Sequence, residues 1–325
     1  MKKLAIRAAL IVAILFVVFL AGPRTKIDPQ VNSLSIPSNP AELEQYLIQS
    51  ESRFTDIVPG TEKTIVWANA EKTKTPISIV YIHGYSATRQ ETAPLSDELA
   101  AQLGANLFYT RLSGHGRTGG AMTEPTVHDW LNDTNEAFEI GKRLGDKVIV
   151  IGVSTGGPLV TWLAEQPHTD EALAFVLISP NFAPYDHKAE ILTYPWAKQF
   201  APLILGSEYS WTPQNDGHAQ YWTHSYPSTA LVTMMGLVKF VRESDLRSIK
   251  KPVLVIYSPN DTVVDSSETE KRFAQIGSDI KQIDPLLSSG ANGDTGNHVL
   301  AGDILSPNNT EVVKNLILDF LARVK

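Results

Sequence analysis

Ser154 stands at the centre of Gly152-Val153-Ser154-Thr155-Gly156, and its surroundings are those of a nucleophile. Residues 147–151, Lys-Val-Ile-Val-Ile, read as a buried strand, and residues 157–164, Gly-Pro-Leu-Val-Thr-Trp-Leu-Ala, read as a helix. A G-x-S-x-G between strand and helix puts the serine on a sharp corner with its hydroxyl exposed. Side chains two residues to either side would collide there, so glycine is required at both places. A serine hydroxyl is a weak nucleophile until a base removes its proton, and that base is a histidine whose tautomer a carboxylate fixes. The chain order that accompanies this motif is Ser, then Asp or Glu, then His. His298 is the only histidine beyond the apolar run 252–257, and it falls in Gly293-Asp294-Thr295-Gly296-Asn297-His298. Asp261, in the loop that leaves that run, is the matching acid, with Asp265 four residues on as its competitor. Asp294 lies too close to His298 in sequence to come from a strand end and reads as a turn residue.

Acyl transfer also builds an oxyanion, which needs two fixed N–H donors. The residue after the nucleophile, Thr155, supplies one. The loop after the run 78–82 begins His83-Gly84-Tyr85-Ser86; Gly84 lets the backbone approach, and Tyr85 N–H is the second donor. His83 reads as a buried structural histidine of that loop. The segment Arg111-Leu112-Ser113-Gly114-His115-Gly116-Arg117 lacks phosphate-loop spacing and reads as a tight turn at the base of the pocket. His187, His218 and His224 share no metal-ligand spacing. The chemistry requires neither metal nor organic cofactor.

These groups come from distant stretches, so alternating elements must bring them together. Apolar runs at 64–68, 78–82, 106–110, 147–151, 173–178 and 252–257 read as strands. Between them lie helical patterns. Thr88-x-x-Glu91 has the form of a capping box, ahead of Leu95, Leu99 and Leu103 on one face. Thr126-x-x-Asp129 opens another helix, with Val127, Trp130, Leu131 and Phe138 at helical spacing. Val313, Leu316, Ile317, Phe320 and Leu321 mark a closing amphipathic helix. Alternation of this kind implies a mostly parallel sheet with helices on both faces. The gap from 178 to 252 exceeds a simple crossover and is dense in aromatics. It is expected to be a helical insertion, about 182–245, lying over the carboxyl edge of the sheet.

The 325 residues are 43% hydrophobic and carry a net charge of −7 with no basic stripe, which excludes nucleic acid as the partner. The absence of cysteine excludes a thiolate nucleophile and any disulfide. Residues 1–22 form a basic lead and an apolar stretch, either a signal peptide or a signal anchor; the poor cleavage site before Pro23 favours a retained anchor. Lys2, Lys3 and Arg7 precede the stretch and Arg24 and Lys26 follow it, a slight bias toward a cell-membrane protein with its catalytic domain exported. Cleavage would instead make it secreted. Residues 23–61 read as a tether with a short helix, and 62–325 as the catalytic domain.

In order and spacing, His83-Gly84, Gly152–Gly156, Gly114-His115-Gly116, Asp261 and His298 resemble the α/β-hydrolase-fold serine hydrolases. The resemblance is to the branch of monoglyceride lipases, lysophospholipase-like enzymes and carboxylesterases that carry a cap, and it covers roughly 62–323. It implies Ser154 as nucleophile, His298 as base, Asp261 as its orienter, and Tyr85 and Thr155 as the oxyanion hole. Val153 departs from the His or Tyr of many lipases at that place. A serine nucleophile separates the chain from haloalkane dehalogenases and epoxide hydrolases, which attack with aspartate. The expected activity is hydrolysis of small-molecule carboxylic esters through an acyl-enzyme. Thioesters and amides are the alternative substrates on the same triad, and a membrane-tethered binding protein on a retired hydrolase fold is the alternative class. Nothing in the sequence specifies an oligomeric state.

Overall fold

The computed structural model describes residues 2–287 and 293–324. Nine strands are described: β1 (Thr64–Val66), β2 (Thr75–Ile82), β3 (Asn106–Tyr109), β4 (Gly145–Val153), β5 (Ala172–Ile178), β6 (Glu208–Ser210), β7 (Ser225–Pro227), β8 (Val253–Tyr257) and β9 (Lys281–Pro285). Seven form one sheet in the order β1-β3-β2-β4-β5-β8-β9. Only β1 runs antiparallel within it. The α-helices are α1 (Lys2–Leu20), α2 (Pro40–Glu51), α3 (Leu95–Leu103), α4 (Val127–Leu144), α5 (Gly156–Ala164), α6 (Ala197–Leu205), α7 (Asp216–Tyr221), α8 (Ala230–Arg242), α9 (Ser266–Gln275) and α10 (Thr310–Leu321).

The central strands are apolar along their whole length because both faces are covered. Val80, Val148, Val150, Phe175, Leu177, Val253 and Val255 point to one face, under α4, α5 and α8. Ile79, Tyr81, Ile149, Ile151, Val153, Val176, Ile178, Leu254 and Ile256 point to the other, under α3 and α10. Register carries the pattern across the sheet: Val80 lies beside Val150, Val150 beside Phe175, and Val176 beside Leu254. The expected box opens α4: the Thr126 hydroxyl accepts from Asp129 N–H and the Asp129 carboxylate accepts from Thr126 N–H.

Two local expectations change, and one strand of the sheet was not expected. The pair Thr88 and Glu91 caps no helix, since α3 begins at Leu95 after Pro94 and Glu91 turns inward. The edge strand β9 escapes the apolar pattern because Lys281, Gln282 and Asp284 occupy it. Between β5 and β8 the insertion is mostly helical but also holds the β6–β7 hairpin. Its last helix, α8, is buried from Ala230 to Val238 and packs on α5. In the stretch before β1, α2 puts Leu43 and Leu47 into the core, and Glu51 at its end forms a buried ion pair with Arg111 at 2.7 Å.

Helix α1 is 19 residues long, with no buried residue and a mean hydropathy of 2.5 over its best window. At about 1.5 Å per residue it approaches the thickness of a hydrocarbon core.

Candidate active site

Strand β4 runs into α5 at Ser154, which has φ +51°. A side chain rarely takes that conformation, so surrounding contacts hold it in place. Ser154 N–H donates to Ile178 O at 2.9 Å, and Ser154 O accepts from Asn181 N–H at 2.9 Å. The two glycines are obligatory. A Cβ on Gly152 would lie 2.5 Å from Gly156 O, and one on Gly156 would lie 2.2 Å from Ile82 O.

The structure brings Ser154, His298 and Asp261 into one hydrogen-bonded line. Ser154 Oγ is 2.8 Å from His298 Nε2, and His298 Nδ1 is 2.7 Å from Asp261 Oδ2. The second Asp261 oxygen accepts from Val263 N–H at 2.7 Å and Val264 N–H at 2.9 Å, which locks the carboxylate's orientation. Burial disfavours the His298 imidazolium, but Asp261, Asp294 and Glu91 together outweigh it and hold the pKa above its ordinary value. The imidazole is thus a stronger base than in water. Asp265, the competing acid, is elsewhere: it caps α9 by accepting from Ser267 N–H, and it lies 3.4 Å from His187.

Asp294 does more than make a turn. Its Oδ2 accepts from His298 N–H at 2.8 Å and Val299 N–H at 3.0 Å. Thr262 N–H donates to Gly296 O at 2.9 Å, tying the acid's loop to the histidine's loop. Ser179 Oγ donates to His298 O at 2.6 Å. The spacing of an Asp four residues before the histidine, with Gly296 between, was the available sequence signal for this support.

The loop after β2 runs against Ser154. A Cβ on Gly84 would stand 2.9 Å from Ser154 Cβ. His83 is fully buried; its Nε2 accepts from Leu112 N–H at 3.1 Å, and its Nδ1 lies 2.8 Å from Gly84 O. Burial depresses its pKa to about 4, so it stays neutral and structural. The Tyr85 ring packs on His115, Trp130 and Tyr226. Thr155 is the residue immediately before α5, and its hydroxyl accepts from Asn181 Nδ2 at 3.3 Å.

The insertion is fastened to all three loops. Thr223 N–H donates to Ser86 O at 2.7 Å beside the Gly84 loop, and Gln214 Nε2 donates to Asp294 Oδ1 at 2.6 Å. Tyr185 N–H donates to Val263 O at 2.9 Å on the acid's loop. Under this cover Ser154 and His298 are each 7% exposed. The enclosure keeps bulk water from the hydroxyl and sharpens every charge interaction inside.

A model of the family described as serine aminopeptidase, S33 (Hydrolase_4), matches residues 73–285, a stretch that contains Ser154 and Asp261 and ends before His298. A thermostable monoacylglycerol lipase from Bacillus sp. (strain H-257) is 27% identical over 216 residues, covering 66% of this chain and 82% of the relative. Among solved structures, a metagenome-derived lipolytic enzyme of the LipS and LipT pair superposes with a TM-score of 0.67 at 23% identity, over 82% of this chain and 99% of its own. A soluble variant of monoglyceride lipase from Saccharomyces cerevisiae gives 0.63 at 15% identity, over 81% and 92%.

Proposed function

We propose, for a chain that belongs to the serine aminopeptidase S33 family of hydrolases, a two-step ester hydrolysis at Ser154. The observation that carries this reading is the unbroken line from Ser154 Oγ through His298 to Asp261, at 2.8 and 2.7 Å. Ser154 attacks the ester carbonyl while His298 takes its proton, and His298 then hands that proton to the leaving alcohol. The acyl-enzyme is cleaved by a water that His298 activates in turn. Asp261 fixes the Nδ1–H tautomer and stabilises the imidazolium. The Tyr85 and Thr155 N–H groups receive the oxyanion, a role supported by Thr155 opening α5 and by the Gly84 backbone lying against Ser154.

The family takes its name from an aminopeptidase, yet the relative that aligns over 216 residues is a lipase, and esters of apolar acyl groups are the reading for this chain. A membrane setting supports it. At the end of α1 the carbonyls of Val18 and Phe19 accept from the Trp196 indole N–H at 3.2 Å, and Phe19 O accepts also from Gly22 N–H at 3.1 Å. Trp196 N–H donates to Pro23 O at 2.8 Å. The insertion therefore sits where α1 ends, and it presents Leu203, Ile204 and Tyr194 to the outside. On this reading α1 is a single-pass anchor, and the charge bias around it puts the catalytic domain on the exported side.

Full-length protein in detergent is expected to react with a fluorophosphonate probe at Ser154 and to hydrolyse p-nitrophenyl esters. Ser154→Ala is expected to lose labelling and at least about 10⁴-fold in kcat. Unchanged ester turnover in that variant rejects the reading.

A further inference from the structure

Glu91 is only 2% exposed, in the loop between β2 and α3, and the steps described so far make no use of it. Its sequence context suggests a helix cap, but it points at the catalytic centre instead. Its Oε2 accepts from Gly84 N–H at 2.7 Å and from the Tyr81 hydroxyl at 3.3 Å. That hydroxyl itself accepts from Thr92 Oγ1 at 3.0 Å. Its Oε1 lies 2.6 Å from the point where a Cβ on Gly84 would stand, and Ser154 Cβ lies 2.9 Å from the same point. The carboxylate and the nucleophile therefore meet the same small patch of Gly84. An acid buried this deeply is costly, and simple packing would be served better by an apolar side chain.

We propose that Glu91 is a positioning residue for the ester hydrolysis: its carboxylate clamps Gly84 N–H at 2.7 Å and so fixes the His83–Gly84 peptide, while the next peptide, which carries the Tyr85 N–H, is held at Gly84 O by Ala87 N–H at 3.3 Å and lies 2.8 Å from His83 Nδ1. This rests on the reading of Ser154 as nucleophile and Tyr85 N–H as oxyanion donor. With Gly84 N–H released, the Gly84 backbone can shift and carry the Tyr85 N–H that follows it out of place, and a single such donor is worth about 10²–10³ in rate.

The clamp also carries charge. The groups facing Glu91 are Gly84 N–H from its own loop, the Tyr81 hydroxyl from β2, Thr92 through that hydroxyl, and His298 from the opposite loop. Burial pushes the Glu91 carboxyl up to about 7, against the pull of Gly84 N–H, His298 and Tyr81. In return, ionised Glu91 contributes to the raised pKa of His298. The two groups change charge as a coupled pair.

Two variants of the full-length protein separate the clamp from the charge. Glu91→Leu leaves Gly84 N–H buried without an acceptor. It is expected to lower kcat on a short-chain p-nitrophenyl ester about 10–100-fold with KM within about 3-fold, and to weaken a boronic acid transition-state analogue by the same factor as kcat. Glu91→Gln keeps an acceptor oxygen without the charge. It is expected to recover most of the lost kcat, while the acid limb of kcat/KM moves to lower pH because the anion beside His298 is gone. A folded Glu91→Leu protein with wild-type kcat overturns the proposal, as does a Glu91→Gln protein that recovers none of the kcat lost in Glu91→Leu. If Glu91→Leu does not fold, Glu91→Asp, whose shorter side chain withdraws the acceptor from Gly84 N–H, takes its place: kcat and boronic acid affinity lowered together support the clamp, and wild-type values of both overturn it. Ser154→Ala run in parallel keeps the two readings apart. Turnover surviving there removes the serine mechanism itself, whereas a dead Ser154→Ala beside a wild-type Glu91→Leu removes only the clamp.

Discussion

At the scale of single residues, the proposed mechanism asks what would make His298 a base. Three carboxyl groups bear on it differently. Asp261 bonds its Nδ1 at 2.7 Å, Asp294 accepts from its backbone N–H at 2.8 Å, and Glu91 acts through space. Catalysis needs the neutral imidazole, so kcat/KM falls as pH drops through the His298 pKa. That pKa is raised, so the half-point is expected above the ordinary 6.5. Asp261→Asn removes the dominant attraction. The acid limb is then expected to shift down in pH, while kcat falls by about 10⁴-fold because the tautomer is no longer enforced. A pH–rate profile for both proteins tests this; a wild-type limb centred below 6.5 contradicts the assigned electrostatics. The grouping of Ser154, Asp261 and His298 in one hydrogen-bonded line was legible from motif, order and the uniqueness of His298. The support from Asp294 and Glu91 was not, because each lies near an obvious local use, a turn and a helix cap, that hides a long-range one.

At the scale of elements, the legible features are those that repeat. Runs such as 147–151 declare themselves because both faces of β4 are buried, and Thr126 with Asp129 declares α4 because the box is local. Where burial is one-sided or the element short, the pattern fades. Edge strand β9 is polar at Lys281, Gln282 and Asp284, and the hairpin strands β6 and β7 have three residues each. The helix α3 starts late because the chain first spends residues 83–94 on the loop that Glu91 holds. The turn from β4 to α5 is the element under the greatest steric demand. A methyl on Gly156 meets Ile82 O at 2.2 Å and His83 O at 2.9 Å, both rigid backbone at the end of β2. Gly156→Ala must push α5 away from β2 or tilt the corner that aims Ser154. The expected result is a loss of about 1–3 kcal/mol in stability by denaturant unfolding. In the folded fraction, the rate of fluorophosphonate labelling is also expected to fall. Wild-type stability together with wild-type labelling contradicts the tight β2–α5 contact.

At the scale of the whole molecule, two exposed apolar surfaces adjoin. The exposed helix α1 ends at Leu20, and Trp196, at the start of α6, holds its last carbonyls. Beyond Trp196, Leu203 is 85% exposed and Ile204 lies beside it. Exposed leucine at the free face of a helix costs hydration free energy in water, and the same face is at home at a bilayer surface. Arg24 and Lys26 follow the apolar helix, and Lys198 stands on α6, all three exposed and suited to headgroup phosphates. An anchor passing through the bilayer next to α6 would hold that face against the leaflet and turn the insertion's outer surface toward lipid. The chain has no cysteine, so a single introduced thiol carries a unique label. A polarity-sensitive fluorophore on Val12→Cys, Leu203→Cys or Val312→Cys, each in full-length protein reconstituted into vesicles, reads the three surfaces separately. Val12 in α1 is expected to report hydrocarbon, Leu203 the headgroup boundary, and Val312 on α10 water. A Val12 label in water removes the anchor. A Leu203 label in water with Val12 in hydrocarbon keeps the anchor but turns α6 away from the membrane, and an ester substrate would then have to arrive through the aqueous phase.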